Sequence, residues 1–102
     1  MAKILSAIEI KEKLLPVFSA LPVDRAILFG SYAKGQAQAA SDVDILIDSG
    51  GKIRGIDFFG VLSDISESLK IPVDLIEASQ LIEGGRIQRE IAASGVVIYE
   101  RA

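Results

Sequence analysis

The chain predicts an α/β (α+β) protein in which helices pack on a small mixed β-sheet. Helix-like and strand-like segments alternate, αβαβαβαβ in outline. The strand-like runs are short, apolar and bounded by Gly, Pro or Ser, and half of the residues are hydrophobic, enough for a core. With 102 residues, a single domain over 1–102 is expected, with little room for a separate substrate-binding unit.

Residues 6–20 read as an amphipathic helix. Ser6 followed by Glu9 is a capping box, and Ile10, Leu14, Val17 and Phe18 recur at helical spacing. Pro16 is expected to bend or interrupt it, and Pro22 to close it before the first strand. Its charges Glu9, Lys11, Glu12 and Lys13 read as a solvated face. Residues 25–29 form the first strand, whose continuous apolar run predicts burial on both faces. Residues 31–34 fit a short helix with Ser31 as N-cap, ended by Gly35 in a left-handed cap. Residues 36–40 form a loop without bulky anchors. The second strand, residues 42–48, alternates: Val43, Ile45 and Ile47 face one way, Asp44, Leu46 and Asp48 the other.

Ser49-Gly50-Gly51 is a turn, and residues 52–55 a loop. Asp57 reads as the N-cap of a helix whose Phe58, Val61, Leu62, Ile65 and Leu69 make a buried stripe. Phe58 and Phe59 at this spacing are packing residues rather than a base-stacking pair. Ile71 and Pro72 stop the helix. On the third strand, residues 73–77, Val73 and Leu75 point one way and Asp74 and Ile76 the other, while Glu77 reads as a surface acid. Ser79 caps a short helical stretch that Gly84-Gly85 breaks; residues 86–94 then form a helix with Ile87 and Ile91 inward, ended by Gly95. Residues 96–99 make the last strand, with Tyr99 at the surface or an interface.

Composition narrows the chemistry. Without Cys there is no disulfide framework or thiolate metal site, and without His there is no Ser-His triad or His-ligated zinc. Carboxylates must carry any acid–base or metal work. The net charge of -3 and pI of about 4.8, without a block of Lys or Arg, argue against strong nucleic-acid binding. No apolar run reaches the ~18 residues of a membrane span, and the apolar start Met1-Ala2-Lys3-Ile4-Leu5 is too short for a signal peptide, so the plain expectation is cytoplasmic. The high apolar fraction is compatible with a surface covered by a partner or by a second copy in a homo-oligomer.

Two stretches carry chemistry. Ala26-Ile27-Leu28-Phe29 ends abruptly in Gly30-Ser31, which suits a strand turning into a helix whose first N–H groups are free to meet an anion such as phosphate. Ser41-Asp42-Val43-Asp44 opens the next strand, and the i, i+2 geometry puts Asp42 and Asp44 on one face. Adjacent carboxylates repel; the relief is to protonate one or to bind a cation. A hard divalent ion resting on one or two carboxylates plus substrate phosphates is the simpler relief at neutral pH. Asp48 shares their parity but sits about 13 Å beyond Asp44, at roughly 3.3 Å per residue, and reads as a solvated strand-end acid. Asp74, inside an apolar strand, is hard to bury unless compensated, and a metal shared with Asp42 and Asp44 would compensate it. The competing readings are Ser31 as a plain N-cap, Asp42 as a turn residue capping Ser41, and Asp74 in water on an edge strand.

At these residues the chain resembles the nucleotidyltransferase superfamily of DNA polymerase beta, and within it the minimal nucleotidyltransferase (MNT) proteins. Their pattern is Gly-Ser, a short helix, Asp-x-Asp and a third acid on a later strand. Gly30, Ser31, Asp42 and Asp44 match it in order and spacing, Asp74 is the third acid, and the match covers nearly the whole chain. The resemblance implies the nucleotidyltransferase fold and an enzyme that transfers AMP (or another NMP) from ATP (or another NTP) to a hydroxyl, with pyrophosphate leaving. It implies Asp42, Asp44 and Asp74 as catalytic residues and as ligands of two Mg2+ ions, Asp74 completing the second site and taking the acceptor proton. Gly30, Ser31, Lys34 and Ser41 would bind the nucleotide; Lys34 stands where related proteins often carry Arg.

The minimal proteins of this family resemble antitoxins paired with an all-helical HEPN-domain toxin, and some attach AMP to a toxin tyrosine. The resemblance thus implies a HEPN-domain partner in a toxin–antitoxin system. Two rivals stay open: a non-catalytic antitoxin that neutralises its partner by contact, and a small-molecule adenylyltransferase subunit, which would normally need helical mass this chain lacks. No Gly-x-Gly-x-x-Gly follows the first strand, which speaks against a Rossmann dinucleotide site.

Overall fold

The computed structural model describes residues 4–101. In chain order the elements are α1 (Ala7–Ser19), β1 (Arg25–Phe29), α2 (Gly30–Ala33), β2 (Val43–Asp48), α3 (Ile56–Leu69), β3 (Val73–Glu77), a 3-10 turn (Ala78–Gln80), α4 (Arg86–Ser94) and β4 (Val96–Glu100). The strands form one mixed sheet, as the alternating pattern predicts, and their order in it is β3-β2-β1-β4. β1 runs antiparallel to β2 and β4, and β2 runs parallel to β3.

Strand parity divides the sheet into two faces. One packs on α1 and α3: Val43, Ile45 and Ile47 of β2, with Ala26 and Leu28 of β1, bury against Ile10, Leu14 and Phe18 of α1 and Val61, Ile65 and Leu69 of α3. The other face presents Asp44, Asp74 and Ile76, and α4 closes over it to leave a cleft. The core therefore anchors the strands from behind while their acids face forward.

The Ser6–Glu9 capping box starts α1 as predicted, and α1 continues through Pro16 to Ser19 rather than breaking there. Several other local expectations change. α3 begins at Ile56 with Gly55 as N-cap at φ 62, so Asp57 lies inside the first turn, where the helix dipole favours an acid. Phe29, not Ser31, is the N-cap of α2. Glu77, not Ser79, caps the 3-10 turn, in a reciprocal box with Gln80. Ile87 and Ile91 are half-buried, so α4 lies more loosely on the sheet than α1 and α3 do.

Two residues read as superficial turn inward. Glu77 is only 2% exposed and accepts hydrogen bonds from Ser49 N (2.9 Å), Ser49 Oγ (2.7 Å) and Ser79 N (2.7 Å). Burial pushes its carboxyl upward, but hydrogen bonds from the side chains and backbone of Ser49 and Ser79 outweigh burial and bring its pKa down from 4.5 to about 2. This charge is buried because it is solvated by the protein. Tyr99 is half-buried, with its ring 5.6 Å from that of Phe18 and the Arg101 guanidinium 6.0 Å from its centroid.

Candidate active site

The cleft lies where β1 ends and β2 and β3 begin. The antiparallel register pairs Phe29 with Asp44, and the parallel register pairs Asp44 with Asp74, so the two acids stand side by side on the open face. Gly30 follows at φ 73, a left-handed conformation that favours glycine. A Cβ on Gly30 would fall onto Asp44 Oδ2 and lie 3.1 Å from Asp44 Cγ. Glycine is thus required twice here, for the turn and for the space that the Asp44 carboxylate fills. Gly30, Ser31, Lys34, Asp44 and Asp74 all line this cleft of about 280 Å³.

Asp42 and Ser41 lie differently. Asp42 is exposed just before β2 and does not line the cleft, although its charge reaches Asp44. Ser41 closes the preceding loop: its Oγ accepts from Gln38 N and its own N–H donates to Gln38 O, both at 2.9 Å. Asp74 is exposed on the edge strand β3, as its competing reading expects, so water meets part of the compensation that a shared metal would otherwise supply.

The electrostatics single out Asp44. Its pKa rises from 3.8 to about 6, first through burial and then through repulsion from Asp74, Asp42 and Glu90, with Arg86 opposing the rise. Two of these neighbours come from α4, which sequence reasoning read only for its apolar residues. Arg86 and Glu90 form an i, i+4 ion pair at 3.1 Å, a spacing visible in the sequence, but the position of that pair over the acids depends on how α4 crosses the sheet.

Among the described residues no group of three or more His, Cys, Asp or Glu is placed to hold a metal ion. The fit is instead to a cation that needs little protein: paired carboxylates, one with its proton affinity raised by burial and by its acidic neighbours, match an ion such as Mg2+ that takes one or two carboxylates and completes its shell with water and phosphate oxygens.

The family model described as "Polymerase beta, Nucleotidyltransferase" matches residues 12–102. The chain belongs to this nucleotidyltransferase family. Membership makes it a nucleotidyltransferase enzyme, and such enzymes generally use a divalent metal. A relative from Methanocaldococcus jannaschii, named as a candidate protein adenylyltransferase, is 35% identical over 68 residues, covering 67% of this nucleotidyltransferase and 73% of the relative.

Solved structures share the fold. A toxin–antitoxin crystal structure with AMP-PNP superposes with a TM-score of 0.76 at 18% identity, covering 89% of this chain and 73% of that one. A complex of the tri-AMPylated Shewanella oneidensis HEPN toxin with its MNT antitoxin gives a TM-score of 0.64 at 15% identity, covering 90% and 73%. A candidate nucleotidyltransferase from Sulfolobus solfataricus gives 0.53 at 23% identity, covering 99% and 93%. No helix among the described residues of this nucleotidyltransferase is long and apolar enough to cross a membrane.

Proposed function

We propose that this nucleotidyltransferase transfers AMP from ATP to a hydroxyl on a partner protein, a tyrosine of a HEPN-domain toxin, and thereby acts as an antitoxin. The observation that carries the chemistry is the register of Asp44 beside Asp74 on one cleft wall, with Gly30 held against Asp44. The partner is supported by the fold shared with toxin–antitoxin complexes, one of them containing an AMPylated HEPN toxin. Work on ATP and a toxin fits a cytoplasmic setting.

In this reading Gly30 lets the backbone approach the triphosphate, while Ser31, whose hydroxyl is not spent on capping α2, and Lys34 bind its oxygens. Ser41 closes the loop that leads into β2. Asp44 and Asp74 would hold Mg2+, with Asp42 adding charge and serving as a further ligand if two ions bind. The bound cation supplies charge neutralisation and lowers the pKa of the acceptor hydroxyl. Asp74, the more exposed acid, takes the hydroxyl proton as the acceptor oxygen bonds to the α-phosphorus. The bond from that phosphorus to the bridging oxygen breaks, and pyrophosphate leaves.

The test is to combine the protein with a HEPN-domain partner, ATP and Mg2+ and to weigh the partner by mass spectrometry. A gain of one or more AMP units is expected, and Asp42→Asn with Asp44→Asn should abolish it while the protein stays folded. Modification by that double variant at the wild-type rate would overturn the catalytic reading. A tight complex of unchanged mass would mean that the protein works by contact alone.

A further inference from the structure

Glu90 occupies a position that nothing in the transfer chemistry explains. Its Oε2 lies 3.1 Å from Arg86 Nη1 on α4, and its Oε1 lies 3.9 Å from Lys34 Nζ, just past the end of α2. All three residues line the cleft that holds Asp44 and Asp74. The Glu90 side chain is 26% exposed, against 77% for Arg86 and 41% for Lys34.

An i, i+4 ion pair on an open helix face stabilises the helix by only a few tenths of a kcal/mol and needs no further explanation. This pair differs in two respects. Its carboxylate is turned into a cleft that already contains acids, where it adds to the repulsion on Asp44. It also reaches a cation on a separate element, so one acid gathers two cations over the same space. Adding a carboxylate to a site that receives a polyanion weakens binding unless that carboxylate can be exchanged for the incoming oxygens. The donors it holds, a guanidinium fork and an ammonium, are the groups that recognise phosphate.

We propose that Arg86 joins Lys34 in a subsite for the β- and γ-phosphates of a nucleoside triphosphate, and that Glu90 is an internal substitute that holds the two cations over the cleft until phosphate oxygens replace it. This rests on the nucleotide reading of the cleft and adds Arg86 and Glu90 to it. Glu90 is a positioning residue. Phosphate oxygens replace it on Lys34 and Arg86, and the salt link from Lys34 to α4 opens as the nucleotide enters. Ligands that lack the outer phosphates gain nothing from the exchange.

Isothermal titration calorimetry of the whole protein separates the cases. Wild type, Glu90→Gln and Arg86→Gln are titrated with ATP, AMP and inorganic tripolyphosphate, with Mg2+ and with a chelator, and each variant is first checked by its melting temperature. Glu90→Gln should bind ATP and tripolyphosphate about fivefold more tightly, and Arg86→Gln about fivefold more weakly, with AMP unchanged. The difference between variants should shrink as salt screens the charges. If both variants bind tripolyphosphate like wild type, or if AMP affinity moves as much as ATP affinity, the proposal is wrong. A wild-type protein that binds ATP but responds to neither substitution refutes only this subsite; one that binds neither ATP nor tripolyphosphate refutes the nucleotide reading as well.

Discussion

Gly30 and Asp44 constrain each other across the sheet, and each constraint has a measurable cost. Alanine at position 30 must adopt φ 73 and place its Cβ on the Asp44 carboxylate, so Gly30→Ala should lose about 2 kcal/mol or more in chemical denaturation, and nucleotide binding with it. Asp44 itself opposes folding at neutral pH. Its folded pKa of about 6 lies above the ordinary 3.8, so its stabilising contribution is complete below about pH 3.8 and is lost as pH rises through about 6. Metal-free protein should therefore weaken by about 1–2 kcal/mol between those limits, after discounting for the water that reaches the site. Asp44→Asn should flatten this limb in a series of urea melts with chelator and should melt higher than wild type at pH 7.5. Such residues were legible in the sequence because the corner after β1 and the i, i+2 spacing of Asp42 and Asp44 are local. Glu77 was not, since its partner Ser49 lies 28 positions away in the chain and only the fold brings them together.

At the scale of elements, the Ser49–Glu77 contact ties the exit of β2 to the exit of β3, while the acids Asp44 and Asp74 pair nearer the entrances of the same two strands. Glu77→Gln replaces an acceptor of three N–H and O–H donors with a neutral amide, and a loss of about 2–3 kcal/mol is expected in denaturant unfolding. The pH sign is opposite to that of Asp44: a carboxyl lowered from 4.5 to about 2 gives stability that is present above about pH 4.5 and lost as pH falls through about 2. Glu77→Gln should therefore remove part of the acid-denaturation limb and leave the limb near pH 6 in place. Sequence periodicity located α1, the apolar stripe of α3 and the strand on which Asp74 alternates with its apolar neighbours. It could not show that β3 is an edge strand or that α4 carries Arg86 and Glu90 into the cleft, because strand order and helix crossing depend on contacts between distant segments. The start of α3 was misplaced for a local reason: Gly55 at φ 62 starts the helix without a side-chain cap, so there was no capping signature to read.

At the scale of the whole molecule, the cleft brings the acids Asp44, Asp74 and Glu90 together with the cations Lys34 and Arg86. Mg2+ with ATP should stabilise the protein by about 2.7 kcal/mol at a hundredfold excess over Kd, read as a thermal shift that chelator abolishes, whereas ATP without metal should give much less. The net charge of -3 predicts no detectable anisotropy change with single-stranded DNA at physiological salt. The sheet order carries one more consequence. Among the described residues β1 and β2 each have a strand on both sides, while β3, which supplies Asp74, pairs in the sheet with β2 alone. Its amides should exchange with deuterium sooner than those of β1, by fraying that leaves the other strands intact. Warming would then separate Asp74 from Asp44 before β1 and β2 part, and with the role proposed for Asp74 this gives a band of temperatures at which the protein is still folded yet already inert.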